Sequence, residues 1–253
     1  MVEGNDILRI GHRGAPSRFL ENTLHSIQHA IELGVDMVEF DIRKTMDDHF
    51  VLLHNSRLGR FLFSSSIARK PLEELQSLRM RRGEPLALLQ DAIDMVKNRA
   101  LMNIDLKAEG GEEMLVDMIV RKGVAEQVLV SSNFKESLRK IKNMEPRIRT
   151  GLSLPKDFFH ASSFEHVLPL RAPIIWIVKN TLRFWIIRQV EKAEADAVML
   201  YYRLITPKLV EFMRQRGYPV FAYTVDDVSA IRRLTDMGVR GIASNRPELL
   251  FQN

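Results

Sequence analysis

The 253-residue sequence contains no cysteine. That absence excludes disulfide scaffolds, cysteine zinc sites, iron–sulfur clusters and thiol catalysis. Any metal must be held by oxygen or imidazole. The sequence also lacks an apolar run approaching the roughly 20 residues of a membrane span. Its start has no signal-peptide pattern, because residues 1–6 are polar and Ile7 to Ile10 are too few for an apolar signal core. A soluble, cytoplasmic protein is the expectation. No linker or shift in composition divides the chain, so a single domain over 1–253 is expected. Excess charge is small, 37 basic against 32 acidic residues, a net +5. The basic residues are dispersed and no nucleic-acid-binding motif accompanies them, so no nucleic-acid partner is expected. What is abundant is apolar surface. Hydrophobic residues make up 45% of the chain, which supports a sizeable core and excludes disorder, collagen and coiled coil as the main architecture.

Short apolar runs alternate with helical patterns over nearly the whole length. Strands are predicted over 7–11, 37–44, 101–107, 128–132, 149–154, 197–202, 220–225 and 241–244, with a further extended run over 50–54. Helices are predicted over 21–33, 85–96, 112–121, 135–143, 207–215 and 228–236, and within the apolar segment that ends at Ala193. Eight strand–helix units in 253 residues give about 32 residues per unit, close to the minimum for a βαβ repeat. Such alternation implies a parallel sheet with helices outside, and the size suits a closed (β/α)₈ TIM barrel, with an open doubly wound sheet as the alternative. The stretch of about 55–84 is too long for a plain loop. It reads as a small insertion after the second strand, with a short helix near 71–78.

In a barrel the chemistry sits at the C-terminal ends of the strands. The first strand runs into Gly11-His12-Arg13-Gly14, the second carries Glu39-Phe40-Asp41, the extended run ends at His54, and the next strand carries Asp105-Leu106-Lys107. Residues two apart on a strand share a face, so Glu39 pairs with Asp41 and Asp105 with Lys107. Three carboxylates converging on a barrel mouth repel one another unless a cation joins them. With oxygen ligands alone, Mg²⁺ or Ca²⁺ is the natural guest. The apolar neighbours Met37, Val38, Phe40 and Ile42 argue against a plain solvated face. His25 and His29, four apart, lack a third ligand and read as a solvated helix face; His49, His160 and His166 read as turn or surface residues.

Taken together, Ile10-Gly11-His12-Arg13-Gly14, Glu21-Asn22-Thr23, Val38-Glu39-Phe40-Asp41 and His54 resemble the glycerophosphodiester phosphodiesterase family. The resemblance continues through Pro85 to Leu89, Asn103-Ile104-Asp105-Leu106-Lys107, Val130 to Phe134, Tyr223-Thr224-Val225-Asp226 and Gly241 to Pro247. It implies a TIM barrel with a small insertion after the second strand. It implies one divalent cation on Glu39, Asp41 and Asp105, general acid/base work by His12 and His54, and phosphate binding by Arg13 and Lys107. The substrate would be a glycerophosphodiester. The sequence departs from the family pattern in four places. His54-Asn55 stands for His-Asp, Asp105 for a frequent Glu, Tyr223 for Trp, and Ser244-Asn245-Arg246-Pro247 for Thr-Asp-Arg-Pro. Asp-x-Lys itself occurs in the related arachnid phospholipase D toxins. Other readings of the same set are a lysophospholipase D-like enzyme at a membrane surface and a catalytically silent barrel that binds phosphorylated ligands.

Both tryptophans, Trp176 and Trp185, fall within 171–188, and no acidic residue occurs between His166 and Val190. The segment is expected to form an exposed apolar surface near the substrate entrance, serving a homodimer contact, packing on the insertion, or contact with a membrane surface.

Overall fold

The computed structural model describes residues 7–56, 66–77, 83–154 and 172–252, and of 172–180 the backbone alone. It contains strands β1 (Leu8–Gly11), β2 (Met37–Lys44), β3 (Phe50–Leu52), β4 (Leu101–Leu106), β5 (Val128–Ser132), β6 (Arg149–Ser153), β7 (Ala197–Tyr201), β8 (Val220–Tyr223) and β9 (Gly241–Ser244). The helices are α1 (Leu24–Glu32), α2 (Leu72–Ser77), α3 (Leu89–Val96), α4 (Glu112–Lys122), α5 (Lys135–Met144), α6 (Ala172–Ala193), α7 (Pro207–Arg214) and α8 (Val228–Asp236). Hydrogen bonding runs β1-β9-β8-β7-β6-β5-β4-β2, all parallel, and β1 pairs with β2 to close the ring. That closing pair, with Ile10 opposite Met37, decides for the TIM barrel over the open sheet. β3 is not a barrel stave. It folds back antiparallel on the end of β2, Ile42 opposite Leu52, and lengthens that strand beyond the barrel mouth.

Strand alternation sorts the side chains into two layers. Leu8, Ile10, Met37, Leu129, Ala197, Met199, Phe221 and Ala243 fill the barrel interior. The alternate positions, such as Val38, Phe40, Ile104 and Val130, meet the apolar stripes of the helices. Gly241 belongs to the interior for a steric reason: a Cβ there would lie 2.7 Å from the Phe221 ring and 3.0 Å from Ile10 Cδ1.

Element ends differ from the pattern reading where local hydrogen bonds override periodicity. α1 starts at Leu24 rather than at 21, because Thr23 is its N-cap and accepts from Ser26 N. α3 starts at Leu89 rather than at 85, because residues 87–88 pair with β3. Leu52 N donates to Ala87 O at 2.9 Å, and Val51 bridges Leu88. Within the insertion, Ile67 and Leu75 pack on Val51, Leu53 and Leu86. Asp47, at the tip of the β2–β3 hairpin, caps α2 by accepting from Leu72 N at 2.9 Å.

Of the 171–188 segment, expected to form an exposed apolar surface, side chains are described only from residue 181 on. In the second half of α6, Leu182, Ile186, Ile187 and Val190 are buried at helical spacing, and Trp185 packs against the same core. Phe184 alone of this group is well exposed, at 49%, and stacks edge-on to Phe212. The side chain of Trp176 lies outside the described residues, as do His160 and His166. No helix among the described residues is long and apolar enough to cross a membrane.

Candidate active site

The loop after β1 is built to hold a charged side chain inward. His12 N continues the ladder onto Ser244 O at 2.9 Å. Gly14, at φ +86, permits a tight return, and a Cβ on it would lie 2.5 Å from Ser26. The Ser26 hydroxyl uses that space, accepting from Ala15 N at 2.8 Å and donating to Arg13 O at 3.0 Å. Between these anchors Arg13 is held in the left-handed region, φ 56, a conformation that is strained for a residue with a side chain. Its N–H then donates to Glu39 Oε2 at 2.8 Å, and its guanidinium reaches Asp41 Oδ2 at 3.0 Å and Glu21 Oε2 at 2.9 Å.

The structure brings Glu39, Asp41 and Asp105 together as one cluster: a carboxylate oxygen of each lies within 4.8 Å of the others. Lys107 joins it, with Nζ 2.6 Å from Asp105 Oδ2 and 3.0 Å from Asp41 Oδ1. That oxygen of Asp41 still accepts no well-directed hydrogen bond. Burial raises Glu39 well above the ordinary carboxylate range, and the charges of Asp41 and Asp105 push it further. Burial also raises Asp105, against the pull of Lys107. Burial acts the same way on Asp41, but Lys107 and Arg13 outweigh it and hold that carboxyl down to about 2. The buried cluster thus has more negative charge than its two cations satisfy. Asn103, in register with Glu39 and also buried, leaves its Oδ1 without a partner. An oxygen-rich, under-neutralised cup of this span fits a single hard divalent cation.

His12 points at this cup, Nε2 lying 3.8 Å from Glu39 Oε2. Burial and the adjacent Arg13 lower it to about 4, so it is neutral at pH 7. Its Nδ1 lies 2.7 Å from Asn245 Oδ1. Asn245 is itself oriented by Asp226, which accepts both its backbone N–H and its Nδ2, each at 2.8 Å. Turning the amide over would set its oxygen against a carboxylate oxygen. The amide oxygen therefore faces His12, Nδ1 carries the ring proton, and Nε2 presents its lone pair to the cup.

His54 stands just beyond β3, where Leu53 N bonds Asp41 O at 3.0 Å. Of the other described histidines, the exposed His25 pairs with Glu84 at 2.9 Å and the exposed His49 with Asp47 at 3.5 Å, as read. His29, 3.7 Å from Glu32, is instead half-buried edge-on to Phe19 rather than on a solvated face. Sequence reasoning assigned no role to Asn22, Asp226 or Asn245. Asn22, at φ 57, clasps Asp41 by donating Nδ2 to Oδ2 at 2.8 Å and accepting from its N–H at 3.0 Å.

A sequence model of the glycerophosphoryl diester phosphodiesterase family matches residues 12–249. The chain belongs to this family. Its members are hydrolases of phosphodiesters. A glycerophosphodiester phosphodiesterase of Caldanaerobacter subterraneus subsp. tengcongensis is 28% identical over 258 residues, 96% of each chain. A lysophospholipase D of Rattus norvegicus is 23% identical over 277 residues, 95% of this chain and 84% of that one. Among solved structures, a phosphodiesterase of Oleispira antarctica in complex with the product sn-glycerol-3-phosphate matches with a TM-score of 0.74. It is 23% identical, and the match covers 96% of this chain and 94% of that one. The glycerophosphodiester phosphodiesterase barrel is thus the fold of this chain, and its mouth carries an acidic triad able to hold a divalent metal.

Proposed function

We propose that this phosphodiesterase cleaves a glycerophosphodiester to an alcohol and sn-glycerol 3-phosphate, using one Mg²⁺ or Ca²⁺ on Glu39, Asp41 and Asp105. The observation that carries the reading is the convergence of the three carboxylates with His12, Arg13 and Lys107 at one barrel mouth. The chain is read as one barrel domain with an insertion after the second strand.

A cation held by the triad supplies Lewis-acid neutralisation of the phosphate oxygens. Arg13 and Lys107 add fixed positive charge beside it, where charge grows in the transition state. His12 has the geometry of a base: a neutral ring, Nδ1–H committed to Asn245, and a free lone pair on Nε2. That lone pair takes the proton of the attacking hydroxyl as the new P–O bond forms; attack by water gives sn-glycerol 3-phosphate directly, whereas attack by the neighbouring glycerol hydroxyl gives a cyclic phosphate that a water then opens to the same product. His54 then protonates the departing alcohol oxygen as the old P–O bond breaks. Help of this kind is worth about 10²–10⁴-fold in rate.

The test uses glycerophosphocholine and lysophosphatidylcholine, each with Mg²⁺, Ca²⁺ or EDTA, and assays choline release. Metal-dependent release from glycerophosphocholine supports the proposal. Release from lysophosphatidylcholine alone transfers the reading to a lysophospholipase D, the activity in the name of the rat relative. Silence with every metal overturns both.

A further inference from the structure

Arg43 is a half-buried cation whose side-chain hydrogen bonds go to backbone carbonyls. Among the described residues it has no carboxylate within ion-pair distance. Its guanidinium is committed to two backbone carbonyls on separate loops. Nε and Nη2 donate to His54 O at 3.0 and 2.8 Å, and Nη1 donates to Lys107 O at 3.0 Å. Arg43 lies on β2 two residues beyond Asp41, so it shares that strand's inward face at the level of the mouth. His54, by contrast, lies outside any strand, and its ring is held by a 3.2 Å contact with the exposed Asn55. A planar fork with several fixed N–H groups braces two carbonyls at a set spacing, whereas the rotatable donors of an ammonium on a flexible stem impose no such geometry.

We infer that Arg43 is a positioning residue: it fixes the height of His54 over the carboxylate cup by holding its carbonyl, and ties that loop to the one carrying Lys107. The inference rests on the catalytic reading of His54. Lys107 keeps an anchor of its own, its N–H donating to Ile42 O at 3.1 Å, whereas the ladder bond on the other side belongs to the preceding residue, Leu53 N to Asp41 O at 3.0 Å, so the loss of Arg43 falls chiefly on His54.

The test is a double-mutant cycle with glycerophosphocholine and saturating metal, using Arg43→Gln, His54→Ala and the pair, with melting temperatures alongside. Arg43→Gln should lower kcat by about 100-fold, the scale of a small misplacement of a reacting group. It should change KM by less than about threefold. In the His54→Ala background the same change should cost less than about threefold, because the group it positions is gone. Arg43→Lys should fall between, bracing one carbonyl, and it carries the cycle if the glutamine variant does not fold. Equal losses in both backgrounds, or a glutamine variant within twofold of the parent enzyme, overturn the inference and leave the catalytic reading standing. A His54→Ala enzyme with undiminished kcat overturns the catalytic role of His54, and this inference with it.

Discussion

At the residue scale the site carries a cost that a cation on the triad would relieve. Glu39 has a folded pKa above its unfolded value, so the folded chain binds more protons than the unfolded one above about pH 4.5. Its contribution to stability is therefore full at acid pH and lost as pH rises through the folded pKa. Metal-free Glu39→Gln should melt a few degrees higher than the parent protein in EDTA at pH 8. It should also lose both turnover and the stabilisation that Mg²⁺ or Ca²⁺ gives the parent. Calorimetry with and without the cation checks both halves, and a lower melting point in EDTA contradicts the account. A second expectation concerns Asp226. In Asp226→Asn the amide of Asn245 is free to turn, and His12 loses its fixed tautomer. We expect kcat to fall about tenfold to 100-fold, with a changed ring ¹⁵N shift for His12. An unchanged spectrum would separate the rate loss from the tautomer. The sequence exposed the carboxylates of the cup, since same-face acids on an apolar strand have few other uses. Asn22, Asp226 and Asn245 stayed hidden because neutral or exposed hydrogen-bonding residues leave no periodic mark. Their work becomes visible only when Asn245 is found against a histidine 233 residues away in the chain.

At the element scale the insertion hangs from the β2–β3 hairpin. Asp47 accepts from Leu72 N and from the Thr45 hydroxyl, the latter at 2.7 Å, and so joins the hairpin tip to α2. Replacing it with Ala removes an N-cap worth about 0.5–2 kcal/mol. The barrel should be left alone. Hydrogen exchange at Leu72 and its neighbours should accelerate several-fold, while amides of β4 and β5 keep their protection. Uniform acceleration across the chain would show that α2 is integral to the barrel. Periodicity placed every stave of the barrel within a few residues, because interior and helix-facing positions both demand apolar side chains. It misjudged helix starts at 21 and 85, where a threonine cap and a short β-bridge end the helix before the apolar pattern does. In the described half of α6 the stripe from Leu182 to Val190 is buried against the outer core, where an exposed surface was expected. An all-round apolar helix reads alike in sequence whether a neighbour or solvent covers each side.

At the scale of the whole molecule, the candidate site is assembled only when the barrel is closed. His12 follows the first strand and Asn245 the last, and both reach the cup because β9 pairs with β1 along Leu8↔Gly241 to Gly11↔Ser244. That seam is packed from inside by Phe221, whose ring occupies the space a side chain at position 241 would need. Gly241→Ala should therefore overfill the interior, at about 1–3 kcal/mol, and lower the melting temperature by several degrees. The strain is local in origin but falls on the seam, so kcat should drop together with stability even well below the melting point, as the His12–Asn245 contact loosens. Trimming the opposing ring makes the assignment specific. Phe221→Leu alone leaves a void and destabilises, whereas Gly241→Ala combined with Phe221→Leu should recover part of both melting temperature and kcat. Strictly additive losses in the double variant would mean that the two residues do not compete for one space, and that barrel closure is not what aligns His12.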